Sequence, residues 1–510
     1  MYTPRSVQEA DGMQQLYGYD QGMMSLINTN RDYLRTMHIS ETSPMVGVIV
    51  AVYYLGCAVG SVIFSKLGDK LGRKKAIFGC LATAALGNFI MFVTGFGSWD
   101  QGTLEAMIVG RVIMGLGVGG IDAVIPIYSS ELSNDDARGK ALAQEFQMNI
   151  FGLNMAFAIN LGVTRALGKD NQWAWRIPIV VMQSYPLLLL AVIERLPESP
   201  RWFLHHGMEK EAEDAMVDIN GEEDGPEKFK ELKQSTEAEA DKHVSYLNML
   251  TPGHPQFHPT VISIMGQINQ ALTGYGAVSV YGPQIFELLG FDVTLAEDLT
   301  QANYISYFVF MTLAWLLIDA VGRRNLMVIG SAVLTASFAL LALFGGLAMN
   351  IDHINVPPMV PAIPGTVTLF VATWAFGIGW LATVWLIPTE LFPTTARGQA
   401  SAISVIIWGL SNFAITFATP VMFNNLRYFI FLVFAVSNAF AGIWTWIYLP
   451  ESGNRSFEEN QKFFEDAARD GTWRVGKVSK GKYLKMPYGD EEDAARTPLL
   501  SRVGDQINTP

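Results

Sequence analysis

GDKLGRKK (Gly68–Lys75) returns as IDAVGRRN (Ile318–Asn325), and both copies keep a carboxylate four residues ahead of an arginine: Asp69 with Arg73, then Asp319 with Arg323. Working outward, PIYSSELSNDDARG (Pro126–Gly139) returns as IPTELFPTTARG (Ile387–Gly398), where Glu131/Arg138 and Glu390/Arg397 both keep a spacing of seven. LPESPRW (Leu196–Trp202), which carries Glu198, returns as LPESGNRS (Leu449–Ser456). Three motifs thus recur in one order at offsets of 250, 259 and 253 residues. Chance does not preserve order and offset together, so the chain is an internal duplication.

The 510 residues are 50% hydrophobic and only 16% charged, with a net charge of -12. Soluble domains carry about 25% charged residues, so this balance belongs to a membrane protein and excludes disordered and nucleic-acid-binding chains. A helix needs about 20 apolar residues to cross roughly 30 Å of hydrocarbon. Apolar runs of that length predict spans near 45–65, 76–97, 104–128, 141–163, 175–195, 260–283, 301–318, 325–348, 365–389, 399–423 and 427–449. A twelfth is expected at Gly12–Asn28, broken by Gln14, Gln15, Asp20 and Gln21. Cys57 and Cys80 lie inside apolar runs and read as packing residues rather than a disulfide or metal site.

Lysine and arginine placement sets orientation. The loop after the 45–65 span holds Lys66, Lys70, Arg73, Lys74 and Lys75, whereas Glu287–Asp298 holds four acidic residues and no basic one. The first loop is therefore expected in the cytoplasm and the second outside. Both termini and the segment 196–258 then fall in the cytoplasm. No cleavable signal peptide is visible, and Asn454-Arg455-Ser456 reads as a chance glycosylation triplet.

The fold class this predicts is an all-α polytopic membrane protein of two six-helix bundles. The expected domains are an N-terminal bundle over 1–200, a polar linker over 201–258, a C-terminal bundle over 259–450 and a tail over 451–510. EKEAEDAMVDI (Glu209–Ile219) is spaced like a short amphipathic helix, and the tail is expected to be mostly disordered beyond its first helix. Two matched bundles that start and end on one side are a parallel repeat, which places substrate between them near the bilayer midplane.

GYDQG (Gly18–Gly22), GDKLGRKK, GRVIMGLGVGG (Gly110–Gly120), PIYSSEL with ARG, WRIP (Trp175–Pro178), LPESPRW, VYGPQIFELLG (Val280–Gly290), VGRR and PTELFP occur in this order. The set, covering about residues 17–455, resembles the sugar porter family of the major facilitator superfamily, and its fungal members in particular. The resemblance implies the major facilitator fold, a plasma-membrane carrier rather than an enzyme, and a small sugar or polyol as substrate. It also implies a lipid bilayer around a monomer, no cofactor, and the proton gradient as driving force. Relatives usually have an apolar half-span ahead of GYD, where this chain has Gln8, Glu9, Asp11, Gln14 and Gln15. That departure is read either as truncation or as a first helix stabilised by its neighbours.

Asp20 is a carboxylate inside a span, costly unless protonated or paired, and Arg111 in the 104–128 span is its expected partner. A carboxylate that gives up its proton while paired and takes one when the contact breaks can couple transport to protons. Proton-coupled relatives place an Asp and an Arg in these motifs, although some facilitators share the Asp. Facilitated diffusion and a purely structural ion pair stay open. Asp69, Arg73, Glu131, Arg138, Glu198, Asp319, Arg323, Glu390 and Arg397 match the family's cytoplasmic charge network. They are expected to pair across the bundles when that side is closed, with helix-end anchoring as the alternative.

For the sugar site, the resemblance carries over Gln270, Trp385 and Asn412, with Gln147, Asn269 and Tyr281 beside the matching positions. The family's second glutamine is Ala271 here, its asparagine is Gly276, the expected glutamine of the 141–163 span falls on Phe146, and Trp408 is displaced by one position. Fewer amides put a glucose-type site in doubt and leave a pentose, a disaccharide, a polyol or a sugar acid open. Interhelical hydrogen bonding is the alternative for the amides. The glycines of GRVIMGLGVGG are expected to serve helix packing. A nutrient sensor and a dileucine sorting signal at Arg496–Leu500 are weaker readings.

Overall fold

The computed structural model describes residues 5–132, 138–193, 197–239, 244–350 and 357–486, among which there is no strand. The first half runs α1 (Arg5–Ile27), α2 (Arg31–Thr36), α3 (Pro44–Leu71), α4 (Arg73–Val93), α5 (Thr103–Leu132), α6 (Arg138–Leu167) and α7 (Gln172–Val192). A polar connection holds α8 (Pro200–His205), α9 (Glu209–Glu239) and α10 (Tyr246–Met249). The second half runs α11 (Phe257–Leu272), α12 (Tyr275–Val280), α13 (Gly282–Leu288), α14 (Val293–Val321), α15 (Arg323–Met349) and α16 (Met359–Phe376). A π-helical turn at Gly377–Leu381 leads into α17 (Thr383–Glu390), α18 (Thr394–Leu426), α19 (Phe429–Tyr448) and α20 (Phe457–Asp470).

Ten of the described elements are long and apolar enough to cross a bilayer. Leu188, Val436, Ile443 and Trp446 are among the exposed apolar side chains on their outer faces, a surface that only lipid accommodates at low cost. The chain is therefore a multi-pass membrane protein. Two further traversals complete the bundles without meeting that length and hydropathy standard. One is α1, whose polar residues the sequence flags; tertiary packing holds it, with Leu16, Tyr19, Met23, Met24 and Ile27 all buried. Its close approach to α6 is permitted by Gly18 and Gly22, where a Cβ would fall 1.8 Å from the Asn149 carbonyl oxygen and 2.3 Å from that of Leu153.

The other is the broken element α11–α12–α13. At Gly274 the backbone enters the left-handed region (φ +83°), and the carbonyls freed at the break find donors on α19: Ser437 Oγ donates to Leu272 O at 2.6 Å and Asn438 Nδ2 to Thr273 O at 3.0 Å. Irregular backbone inside a membrane requires such protein partners, because water is absent there.

The duplication is visible in the backbone. A single glycine joins α3 to α4 (Gly72, φ +102°, ψ 155°) and α14 to α15 (Gly322, φ +91°, ψ 157°), and both fall outside the range open to other residues. One core gathers mainly the helices of the first half and another mainly those of the second, with Ala143, Phe146 and Ile150 of α6 joining the second and Val280, Tyr281 and Trp408 joining the first. The halves meet along α3 against α18, α6 against α14, and α1 against α12. The glycines of GRVIMGLGVGG serve packing: Gly115 and Gly119 face the α3 backbone, and Gly110 and Gly117 that of α4.

Glu209–Ile219 is helical, as its spacing predicts, and α9 breaks at Gly221 (φ +88°) before returning so that Lys233 meets Glu209 at 2.7 Å. Beyond α20 the chain to Met486 is docked rather than free: Val475 N donates to Ile447 O at 2.9 Å, Glu451 N to Tyr483 O at 3.0 Å, and Val475, Val478 and Tyr483 are buried. Burial of these three side chains offsets the conformational entropy that composition alone leaves unopposed. Arg496–Leu500 lies outside the described residues.

Candidate functional site

Asp20 on α1 and Arg111 on α5 are only 2% and 1% exposed, and they form an ion pair through Oδ1 and Nη1. The guanidinium also donates from Nε to Ile49 O at 3.2 Å and from Nη2 to Val50 O at 3.4 Å, while its plane lies over the Tyr53 ring, 4.8 Å from the centroid. Both partners are fully withdrawn from water, so each charge depends on the other.

A cleft lies between the halves, toward the end that carries Arg73 and Arg323. The first half contributes Gln14 and Tyr17 on α1, Asp122 and Pro126 on α5, and Leu142 and Phe146 on α6; the second contributes Trp385 and Thr389 on α17 and Ser401 on α18. About 460 Å³ of non-atom space lies among these side chains, its open side included. Tyr17 sits one turn from Asp20. Trp385 packs against Phe146 (ring centroids 5.9 Å apart) and Trp408 (6.0 Å), and Trp408 in turn meets Tyr17 (5.5 Å) and Tyr54 (5.3 Å), so aromatic rings from five helices bridge the halves.

Of the six sugar-contact candidates, Trp385 alone lines this cleft. Gln147 reaches across to α14, donating to Phe308 O at 3.1 Å and Thr312 Oγ1 at 3.0 Å. Gln270 donates to Trp380 O and Leu381 O at 3.3 and 3.4 Å, where the π turn frees those carbonyls. Asn269 is fully buried with both amide atoms unpartnered, and the Tyr281 hydroxyl is buried and unpartnered too. Asn412 Nδ2 donates to Trp408 O at 2.9 Å, and a Cβ on Gly276 would stand 3.4 Å from its Oδ1.

The charged motifs form two matching clusters. Arg73 meets Asp69 at 2.6 Å and both Glu131 oxygens at 3.1 and 3.2 Å. Glu198 accepts the Arg73 N–H at 2.8 Å, the Lys74 N–H at 3.2 Å and the Ser199 N–H at 3.0 Å. In the second half Arg323 meets Glu390 at 2.7 Å and Asp319 at 2.8 Å. Glu451 accepts the N–H groups of Arg323 and Gly453, both at 2.9 Å, and Ser452 donates to Glu390 at 2.6 Å. Glu198 and Glu451 each sit at a helix N-terminus that lacks its own side-chain cap, where unpaired N–H groups favour a carboxylate.

The pairs that Arg73 and Arg323 make close within their own bundles, which differs from the pairing across bundles that the motifs lead one to expect. The reason is geometric: the one-residue link at Gly72 or Gly322 brings each arginine directly under its own bundle's carboxylates. Arg397 is half-buried in the first turn of α18, and the Arg138 side chain lies outside the described residues. Ion pairs across the halves occur at the opposite end instead, Arg165 to Asp298 at 2.5 Å and Lys169 to Glu297 at 2.8 Å.

Sequence reasoning passed over Glu451, Tyr17, Asp122 and these opposite-end pairs. Glu451 was available from the repeat, as the counterpart of Glu198. Asp122, a carboxylate within the 104–128 apolar run, satisfies the same rule that singles out Asp20.

The profile of the Sugar (and other) transporter family matches residues 11–464, nearly the whole described chain. The chain belongs to that family. Its residues are 31% identical over 457 positions to the arabinose-proton symporter of Bacillus subtilis, covering 88% of this chain and 92% of that one. They are 29% identical over 460 positions to the MFS-type transporter oryC of Aspergillus oryzae, covering 88% and 83%. A solved structure of the proton:xylose symporter XylE bound to 6-bromo-6-deoxy-D-glucose superposes with a TM-score of 0.75 at 23% identity, over 90% of this chain and 98% of that one, and establishes the major facilitator fold. The protein is a sugar-transporter family member and not an enzyme.

Proposed function

We propose that this family member imports a sugar or related polyol by proton symport, through alternating access between its two bundles. The buried Asp20–Arg111 pair carries the reading. A carboxylate and a guanidinium with no water around them cost several kcal/mol to keep charged unless they stay together. Protonating Asp20 removes one charge and loosens α1 from α5, beside Tyr17 in the cleft. That couples proton occupancy to the helix that walls the substrate. Two relatives named as proton symporters, for arabinose in Bacillus subtilis and for D-xylose in Escherichia coli, support the same reading. The end bearing Arg73 and Arg323 is taken as cytoplasmic, with both termini on that side of a plasma membrane, because its loops are basic.

The test is external alkalinisation by transport-deficient yeast expressing the chain, recorded on addition of a panel of sugars and polyols. Wild type is expected to draw in protons with one of them, and Asp20→Asn to lose that movement while still exchanging labelled substrate across the membrane. Saturable uptake of label with no proton movement would show a facilitated carrier instead.

A further inference from the structure

We infer that the cleft takes a substrate bearing a protonated amine, an amino sugar or amino polyol, with Asp122 as the counter-ion; this deepens the transporter reading above and rests on it. Asp122 lines the cleft, is 6% exposed, and makes no hydrogen bond or ion pair among the described residues. A carboxylate in that position is expensive unless a cation or a proton reaches it. Among the described residues no cationic side chain lines the cleft. The other polar groups lining the cleft are Gln14, Tyr17, Thr389 and Ser401, all neutral. Arg111, on the same helix, is eleven residues away, about 16 Å along the axis, and is committed to Asp20 and two backbone carbonyls.

The rest of the wall suits an ammonium group. Tyr17, Phe146 and Trp385 line the same cleft, and aromatic faces attract cations as well as the CH surface of a sugar ring. Independently, the equipment for a neutral sugar is spent elsewhere. The matched amides Gln270 and Asn412, and Gln147 beside a matching position, bond to backbone or neighbouring helices rather than into the cleft, and Ala271 and Gly276 bring no amide at all. What remains is one unpartnered carboxylate inside an aromatic wall, with a few hydroxyls and one carboxamide to read a polyol chain.

The probes are labelled glucosamine and its two neutral counterparts of the same skeleton, glucose and N-acetylglucosamine. Uptake is measured in transport-deficient yeast expressing the full chain, as wild type, Asp122→Asn and Asp122→Glu, with surface expression quantified in parallel. Wild type is expected to favour glucosamine over both neutral sugars by at least tenfold in kcat/KM. Asp122→Asn should lose that preference, and Asp122→Glu should recover part of it. Equal or better transport of the neutral sugars by wild type overturns the inference and leaves the transporter reading standing. So does an Asp122→Asn variant that keeps its selectivity, or one that loses only proton movement and thereby marks Asp122 as a proton site.

If no probe is transported, symport has failed as tested, and purified wild type decides the amine question separately. Glucosamine should raise its thermal unfolding midpoint where glucose does not, in the Asp20→Asn background as well. No shift with glucosamine overturns the inference.

Discussion

Gly72 and Gly322 show how single residues set the charged clusters. Each turns the chain in one residue between two long helices, at a backbone conformation that costs any other residue about 1–3 kcal/mol. A Cβ would also fall 2.3 Å from a carboxylate oxygen of Glu198 or Glu451, displacing the group that caps the next helix. Gly72→Ala and Gly322→Ala are each expected to lower stability by about 1–3 kcal/mol or more, read as a depressed thermal unfolding midpoint in detergent. An unchanged midpoint would mean that the turn does not hold the cluster. Their role was half legible: the repeat marks the glycine before each arginine, but the capping carboxylate lies 126 and 129 residues further along the chain, at Glu198 and Glu451. Only the folded bundle brings it there.

At the scale of elements, apolar runs predict eleven spans, the broken element over 260–283 among them, and are weakest at α1, which depends on its neighbours. The carbonyls at the α11–α12 break and at the π turn are satisfied by Ser437, Asn438 and Gln270, donors that no local pattern can pair with them. The docked tail is a second case. Asp466 on α20 accepts from Ser479 Oγ at 2.7 Å and Tyr483 Oη at 2.8 Å, and these hydroxyls hold its carboxyl below the usual carboxylate range. A carboxyl lowered on folding stabilises the docked form above its ordinary value of about 3.9 and ceases to do so as pH falls through the lowered one. Protection of the 471–486 amides against hydrogen exchange, taken relative to an unstructured chain at the same pH, is therefore expected to stay high from about pH 5 to 8 and to fall below about pH 4, and Asp466→Asn should lower it at neutral pH. Exchange that ignores both changes would assign the docking to the apolar side chains alone.

For the whole molecule, the ion pairs across the halves lie at the end opposite the cleft. They hold that end shut while the cleft lies toward the other, which is the arrangement an alternating-access carrier adopts on one side of its cycle. Arg165 and Asp298 are half-exposed, so their pair contributes about 0.2–1 kcal/mol, and the Lys169–Glu297 pair is of the same order. Neutralising both acids, Glu297→Gln with Asp298→Asn, should shift the equilibrium toward opening at that end by about 2- to 30-fold. The readout is maleimide labelling of Gln301→Cys, which sits between the halves one turn below, with its amide on Asn154 at 3.2 Å. The native thiols Cys57 and Cys80 are buried and do not compete. Labelling that is no faster would remove these pairs from the gate.

Residue order by itself determined the duplication, the membrane setting, the family and the Asp20–Arg111 pair, because each follows from composition, offsets or the cost of a charge in hydrocarbon. The tertiary structure decided what those charges and amides touch. Gln147 and Gln270 turned to backbone and neighbouring helices, the arginine clusters closed within their own bundles, and Asp122 was left facing the cleft. A side chain's partners are set by helix rotation and by breaks that release carbonyls, and neither is written in the spacing of residues along one helix.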